Sequence, residues 1–404
     1  VSNHFPADTL DITERLRLAV GRVMAISDLT AGDARQGFVS RFRGRLVTPS
    51  EQAFDLLDPI FSAEGVTLLF RKEGDTDVIL AVPGVIQPEP SNPWVNAALF
   101  VATLGSMLLA GALYGNPGPI DPQGGLWDAI RANLGNGVLF AASLLGILMA
   151  HEFGHYIAAR VHRTAVTLPY FLPFPGSLFG TLGAFIRLKE PPRDRNVLLD
   201  IGLAGPLAGL IVALPILLFG LVSSEMGRLP ADPQAWAGSG LEGNSLLYLA
   251  AKYLAKGELL PQPVSYGGMP PVLYWLRYIF LGTPIPYGGK DVLLNHMAWA
   301  GWAGLLVTAL NLIPAGQLDG GHTIFVLIGD RTRKLLPFIV LALLLMGSVW
   351  PGWFIWALLI FLLGRAYARP RDEITPLTPG RRALAIFGIV LFVLVFTPIP
   401  LRGF

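Results

Sequence analysis

Apolar residues run along this chain in long blocks over 94–114, 134–159, 198–222, 292–328 and 382–400. Each block is long enough to cross the roughly 30 Å hydrocarbon layer of a bilayer as a helix. A sixth block, 335–364, is broken in its middle by Trp350-Pro351-Gly352-Trp353, a turn signal, and reads as two spans joined by a hairpin. Before residue 93 the pattern changes. A helical period over 10–26, a strand over 38–47 and a helix opened by Thr48-Pro49-Ser50-Glu51 and running to Ala63 are followed by strands over 66–72 and 78–82, with a turn at 73–77. Pro83, Pro88, Pro90 and Pro93 then make a stiff linker. The expected fold class is a polytopic α-helical membrane protein of about seven spans with a small N-terminal soluble α+β domain. Its expected divisions are 1–93 (soluble domain and linker), 94–133 (first span and outer loop), 134–328 (membrane core) and 329–404 (C-terminal spans).

Loop charges test the hairpin. Arg160, Arg163, Arg187, Lys189, Arg193 and Arg195 lie between the second and third spans; Arg331, Arg333 and Lys334 follow the fourth; Arg365, Arg369, Arg371, Arg381 and Arg382 precede the last. Basic loops face the cytoplasm, and only a turn at Pro351 puts the second and third clusters on one side. The soluble domain is then cytoplasmic and the C-terminus faces outward. The chain is expected to be an integral multi-pass protein, of the plasma membrane in a bacterial cell. The first 90 residues hold no apolar run of signal-peptide length.

Two loops depart from ordinary loop chemistry. Residues 164–197 contain Leu168-Pro-Tyr-Phe-Leu-Pro-Phe-Pro-Gly176 and Gly180-Thr-Leu-Gly-Ala-Phe-Ile-Arg187, too apolar for a solvated loop and too rich in Pro and Gly for a helix. Extended or re-entrant backbone is expected there, of a kind tolerated at membrane depth only where protein or a wet cavity satisfies it. Residues 223–291 form a long outer segment, with short helices expected over 244–256 and 272–281.

Composition agrees with a bilayer setting: 52% of the 404 residues are hydrophobic and 14% charged, against about a quarter charged in soluble proteins. The net charge of +2 and the lack of interleaved basic and aromatic residues exclude nucleic acid as an expected partner. There is no cysteine, so any metal must be held by nitrogen and oxygen.

The chemistry concentrates in the second span, at His151-Glu152-Phe153-Gly154-His155. Positions i and i+4 share one helix face, so both imidazoles can reach one ion, while Glu152, turned by about 100°, can act on a water as general base. A chance match in a chain of this length is on the order of one in a hundred. Ionisable groups at that depth are costly, which favours function over a polar cluster that only pairs helices. A hydrolytic zinc site needs a third protein ligand. Asp319, in Asn311-Leu-Ile-Pro-Ala-Gly-Gln-Leu-Asp-Gly-Gly-His322, is the main candidate; Asp200 and Asp291 sit near span ends, where each can be solvated. Pro314 and Gly316 should interrupt the fourth span, and Gly320 and Gly321 would let backbone approach the metal. His322 is open between supporting the metal site and packing helices.

HExxH in one span and Asn-x-x-Pro-x-x-x-Leu-Asp-Gly in a later one resemble the two motifs of the site-2 proteases, zinc-dependent intramembrane metalloproteases of peptidase family M50, and both match in full. Ala204-Gly205-Pro206-Leu207-Ala208-Gly209 looks like the small-residue motif of that family's third core helix. The resemblance covers about 134–328, a three-helix catalytic core. With no recognisable PDZ domain, the chain is most similar to the branch found in bacteria, cyanobacteria and plastids.

The resemblance implies one Zn²⁺ per chain on His151, His155 and Asp319, Glu152 as the catalytic base, and membrane proteins, single-span or other, cleaved in their transmembrane segments during regulated intramembrane proteolysis. Zinc there would bring the pKa of a water to near 7 and polarise the scissile carbonyl. Asn311 would steady substrate or oxyanion, or else make an interhelical hydrogen bond. A helical substrate must unwind before attack, and an extended segment is captured by adding to a sheet edge. Gly180, Gly183 and Phe185 mark the candidate edge, unless that segment only packs as a plug. A metal transporter or an inactive scaffold are the competing classes. Transport would stagger its ligands along a path, and a scaffold would have lost Glu152 or a ligand; this chain does neither.

Overall fold

A computed structural model describes residues 9–33, 35–113, 125–232 and 240–403. The N-terminal unit comprises α1 (Thr9–Val20), β1 (Met24–Ala31), β2 (Ser40–Leu46), α2 (Ser50–Ala63), β3 (Val66–Glu73) and β4 (Thr76–Pro83). Its four strands form one antiparallel sheet in the order β1-β2-β4-β3. Leu16, Phe42, Phe54, Phe61, Leu68 and Phe70 fill the core between the sheet and both helices. Each such side chain contributes about 1.5–3 kcal/mol by leaving water. One element differs from expectation. The helical period read over 10–26 ends at Val20, because Gly21 closes the last turn on the Arg17 carbonyl and the chain reverses into β1. Met24 and Ile26 then lie on a strand, whose period of two a short apolar run does not distinguish from a helix.

The rest of the chain is helical: α3 (Pro93–Leu113), α4 (Leu126–Ala132), α5 (Leu134–Val161), then the strands β5 (Tyr170–Pro173) and β6 (Thr181–Phe185), and α6 (Arg195–Ser223). Among the described residues α3, α5 and α6 are the helices long and apolar enough to cross a bilayer. Part of the outer loop expected within 94–133 lies outside the described residues. There follow β7 (Glu225–Arg228), β8 (Gly240–Glu242), α7 (Leu246–Lys256), α8 (Pro271–Leu281), β9 (Lys290–Leu293), α9 (His296–Asn311) and α10 (Asp319–Ile328). A 3-10 turn, Gly329–Lys334, leads to α11 (Leu336–Gly347), α12 (Gly352–Leu363), α13 (Pro379–Val395) and β10 (Leu401–Gly403). The block over 292–328 is therefore two helices broken at 312–318, and the block over 335–364 is a helical hairpin turning at Pro351.

In lipid no hydrophobic force drives helix against helix, so close packing must do it. The sequence supplies small residues at the crossings of α6 with α5 and α9. A Cβ on Gly154 would come within 2.5 Å of the Ala204 carbonyl oxygen, one on Gly220 within 2.3 Å of the Ala298 nitrogen, and one on Gly301 within 2.7 Å of Leu217. These backbones touch, which gives α5, α6 and α9 one shared interior.

The two ends of the helical body differ. At one end the N-terminal unit sits on the α5–α6 and α12–α13 loops. Residue 372 bridges in parallel both to Phe70 on the edge strand β3 and to Asp194, so the α12–α13 loop extends the N-terminal sheet. Arg371 Nη1 donates to Asp58 at 2.7 Å, and Arg193 pairs with Asp55 at 3.0 Å. At the other end β7 pairs with β9, and β8 with the C-terminal β10. Lys252 is wholly buried there between Glu242 Oε1 at 2.9 Å and Asp291 Oδ1 at 3.2 Å.

Candidate metal centre

HExxH lies in the last three turns of α5, with His151, Glu152 and His155 all buried. The i, i+4 spacing does what the sequence predicts: the two Nε2 atoms are 3.3 Å apart. The rings fit because α6 offers glycines opposite them. A Cβ on Gly205 would fall 2.0 Å from His155 Nε2, and one on Gly209 would fall 3.2 Å from His151 Nδ1. His155 Nδ1 lies 2.7 Å from the Ile201 carbonyl oxygen of the same helix. A carbonyl can only accept, so Nδ1 carries the proton and Nε2 turns its lone pair toward the site.

The break between α9 and α10 delivers the carboxylate. Gly316 takes φ +58°, the loop folds back, and Asp319 becomes the first residue of α10. A Cβ on Gly320 would meet the Leu312 oxygen at 1.9 Å, and one on Gly321 the Gly316 oxygen at 2.3 Å. These glycines were expected to let backbone approach a metal. They instead let the loop close on itself, because the reversal packs its carbonyls against the start of α10. The result is that Asp319 Oδ2 lies 3.3 Å from His151 Nε2 and Oδ1 lies 3.4 Å from His155 Nε2.

The two imidazoles and the Asp319 carboxylate thus form a triangle of side chains, in which the nitrogens stand 3.3 Å apart and each lies 3.3–3.4 Å from its own carboxylate oxygen. Ligands about 2.0–2.1 Å from a tetrahedral zinc stand about 3.3–3.4 Å apart. The nitrogen pair has that spacing, and one Asp319 oxygen completes a group whose three donor atoms lie within 4.8 Å of one another. The nitrogen and oxygen donor set also suits zinc, and these three are the group of this kind among the described residues. Both alternative carboxylates are engaged elsewhere. Asp200 accepts two bonds from Arg381 Nε at 2.9 Å and stands 2.9 Å from His162, while Asp291 is held by Lys252.

A cavity of about 180 Å³ opens over the triangle, and Glu152, Asn311, His322 and the segment 184–186 line it with the three ligand candidates. Asn311 ends α9 with Nδ2 3.3 Å from His151 Nε2. Among the described residues His322 Nδ1 is buried without a hydrogen-bond partner. β6 pairs with β5 on one side, and among the described residues its other edge has no strand neighbour. Of the expected edge residues, Phe185 reaches the cavity and stacks on Tyr170 at 5.4 Å. Gly183 has φ +103° and open space at its Cβ position, whereas Gly180 is pressed on α3, where a Cβ would come 2.5 Å from the Ser106 oxygen. Asn96 Nδ2 of α3 donates to the Leu168 and Pro169 carbonyls at 2.9 Å, which satisfies part of this non-helical backbone.

A profile of peptidase family M50 matches residues 139–350, a stretch that begins in α5 and takes in every residue of the triangle. The chain belongs to peptidase family M50. Among its relatives, a rice protein (Oryza sativa subsp. indica) described as probable zinc metalloprotease EGY2, chloroplastic, is 30% identical over 373 residues, covering 90% of this chain and 61% of its own. The Arabidopsis thaliana protein described as probable zinc metalloprotease EGY1, chloroplastic, is 27% identical over 335 residues, 78% of this chain and 55% of its own. The chain spans about three fifths of the length of the curated relatives it matches. The resemblance read from the two motifs is thereby borne out, including its plastid-like side; the N-terminal unit lies outside the matched family region.

Proposed function

We propose that this chain is an intramembrane zinc endopeptidase that cuts transmembrane segments of other membrane proteins. The observation that carries the reading is the grouping of His151, His155 and Asp319, with contacts of 3.3–3.4 Å, at the floor of a cavity that also holds Glu152. These three residues would hold one zinc ion per chain. When bound there, zinc supplies Lewis acidity for a peptide carbonyl and for a water. Glu152 takes the proton of the attacking water and returns it to the leaving amine. Asn311, at the end of α9, is placed to donate to the substrate carbonyl. The exposed edge of β6 takes the unwound substrate as an added strand, through backbone bonds that any sequence can make, and Phe185 contacts its side chains. The substrates are single-span or other membrane proteins.

The proposed topology has seven passes, with the soluble domain on the side of the basic loops, cytoplasmic if the membrane is a bacterial plasma membrane. The arms of the α11–α12 hairpin have 12 residues each, about 18 Å of helix. They count as passes because Trp353 at the tip donates from Nε1 to the Pro398 oxygen, beyond the far end of α13. The relatives described as chloroplastic make a plastid membrane the other setting to examine.

The test is cleavage of a labelled single-span substrate in detergent by wild type and Glu152→Gln, with zinc measured on both. Loss of about 10²–10⁴-fold in rate at unchanged zinc content is expected of a general base. Equal cleavage by both proteins would remove Glu152 from this role.

A further inference from the structure

On the face of the α11–α12 hairpin away from the metal centre, a cavity of about 640 Å³ opens between the two helices. That volume falls within the roughly 300–1,000 Å³ of sites that take one small ligand. Leu336, Val340, Leu344 and Phe361 line it, and Arg333 and Arg365 close one end. The hairpin brings these arginines together: Arg333 lies in the turn that precedes α11 and Arg365 directly follows the C-cap of α12. The trough is apolar along its length and cationic at one end only.

The cationic end has charge to spare. Residues 329–369 carry five basic side chains, Arg331, Arg333, Lys334, Arg365 and Arg369, and one acid, Asp330. Asp330 is shared, bonded to Arg369 and 3.8 Å from Arg333 Nε. Among the described residues no carboxylate pairs with Arg365, whose guanidinium stands 5.5 Å over the Phe361 ring. A solvated anion would satisfy Arg365 but leave the trough empty, and an apolar helix would fill the trough but leave Arg365 without an anionic partner and Arg333 with only its share of Asp330. An amphiphile with a negative phosphate at one end answers both.

We propose that the α11–α12 trough binds one anionic phospholipid, its phosphodiester between Arg333 and Arg365 and an acyl chain along Leu336, Val340 and Leu344. Basic pockets between membrane helices at a membrane surface have the chemistry for such head groups. The opposite face of α11, through Phe338 and Ile339, borders a second apolar cavity whose other wall includes Leu312, Pro314 and Gly320 of the loop that precedes or carries Asp319. A lipid seated on α11 therefore bears on a helix that backs the metal loop.

The test reads binding directly and stands apart from whether the chain cleaves peptides. The full chain is exchanged into nanodiscs of phosphatidylcholine with graded phosphatidylglycerol, and the lipid retained after release into detergent is counted by native mass spectrometry. One phosphatidylglycerol is expected to be retained with a preference of about 30-fold over phosphatidylcholine, the worth of two basic side chains at a membrane surface. Arg333→Ala with Arg365→Ala should abolish the preference, the paired Lys variants should keep it within a few-fold, and Val340→Trp should expel the lipid by filling the trough with both arginines intact. Arg331→Ala, outside the trough, should change nothing. Equal retention of the two lipids, an unchanged preference in the double Ala variant, or a loss caused by Arg331→Ala alone would each overturn the proposal. So would crosslinking of a transmembrane peptide, in place of lipid, to a photoreactive residue at position 340.

Discussion

At the scale of single residues, the centre depends as much on what is missing opposite the histidines as on the histidines. Gly205 is the sharpest case: a methyl group there would lie 2.0 Å from His155 Nε2. Gly205→Ala should raise the intrinsic preference for helix by about 1 kcal/mol. It should nevertheless lower metal affinity about 10–100-fold, the cost of disturbing the groups that orient a ligand. Zinc retained after dialysis against a graded chelator measures this, and undiminished retention would mean that α5 and α6 can separate to admit the methyl. The motif Ala204–Gly209 was legible as a small-residue stretch, but nothing in it said which glycine faces which ring. That depends on the rotation of α6 against α5, set by contacts such as Gly154 on Ala204.

At the scale of elements, the segment over 164–197 was legible as non-helical from its Pro and Gly, and it is the β5–β6 ribbon. Its edge is formed by backbone, so proline is the informative substitution. Phe185→Pro removes one N–H and should slow cleavage of membrane peptides by about tenfold, the worth of a hydrogen bond or two, while zinc content stays unchanged. A rate equal to wild type would favour a ribbon that only plugs the helices. The hairpin of α11 and α12 was also legible, because proline and glycine between two tryptophans end a helix on any background. The depth it reaches was not, since that follows from the contact of Trp353 with the end of α13.

For the whole molecule, the N-terminal unit and the helical body meet along a seam in which the α12–α13 loop bridges to β3 at Asp372. Asp372 is its centre: one carboxylate oxygen accepts from the backbone of Ile374 at 2.7 Å and of Thr375 at 3.1 Å, and the other from the Thr375 hydroxyl. Burial pushes the Asp372 carboxyl up, and the bonds from Thr375 and Ile374 offset only part of that. A carboxyl raised in the folded state contributes stability that is present at low pH and is lost as pH rises through its raised pKa. Once the intrinsic rise of amide exchange with pH is divided out, the β3 amides at the seam should therefore be less protected toward neutral pH than in mild acid. Asp372→Asn keeps an oxygen for the two backbone donors and removes the charge, so it should flatten that pH dependence with docking intact. Asp372→Ala leaves two buried N–H groups without a partner, at about 1–3 kcal/mol each, and should loosen the seam at every pH. Hydrogen exchange of residues 66–73 separates these outcomes, and identical exchange in all three proteins would remove Asp372 from the seam. The same seam joins Asp372 to Asp194, which caps α6 by accepting from the Asn196 and Val197 amides, so the N-terminal unit rests on the helix that faces both histidines.

The amino-acid sequence by itself determined whatever depends on neighbours a few positions away. Residence in a bilayer, the pairing of His151 with His155 and the breaks at Pro314 and Pro351 all follow from run length, from the 3.6-residue helical period, or from residues that cannot continue a helix. The sequence left β1 unread, because a short apolar run after Gly21 satisfies helix and strand alike. Only the tertiary structure shows which carboxylate stands beside the two imidazoles, although its motif had already made Asp319 the main candidate. Asp200, Asp291 and Asp319 carry the same group, and they differ in what stands beside them: Arg381 and His162 for the first, Lys252 for the second, two imidazole nitrogens for the third. Those partners lie far away in the chain, and a charge buried near a bilayer keeps whichever partner the packing of the helices brings to it.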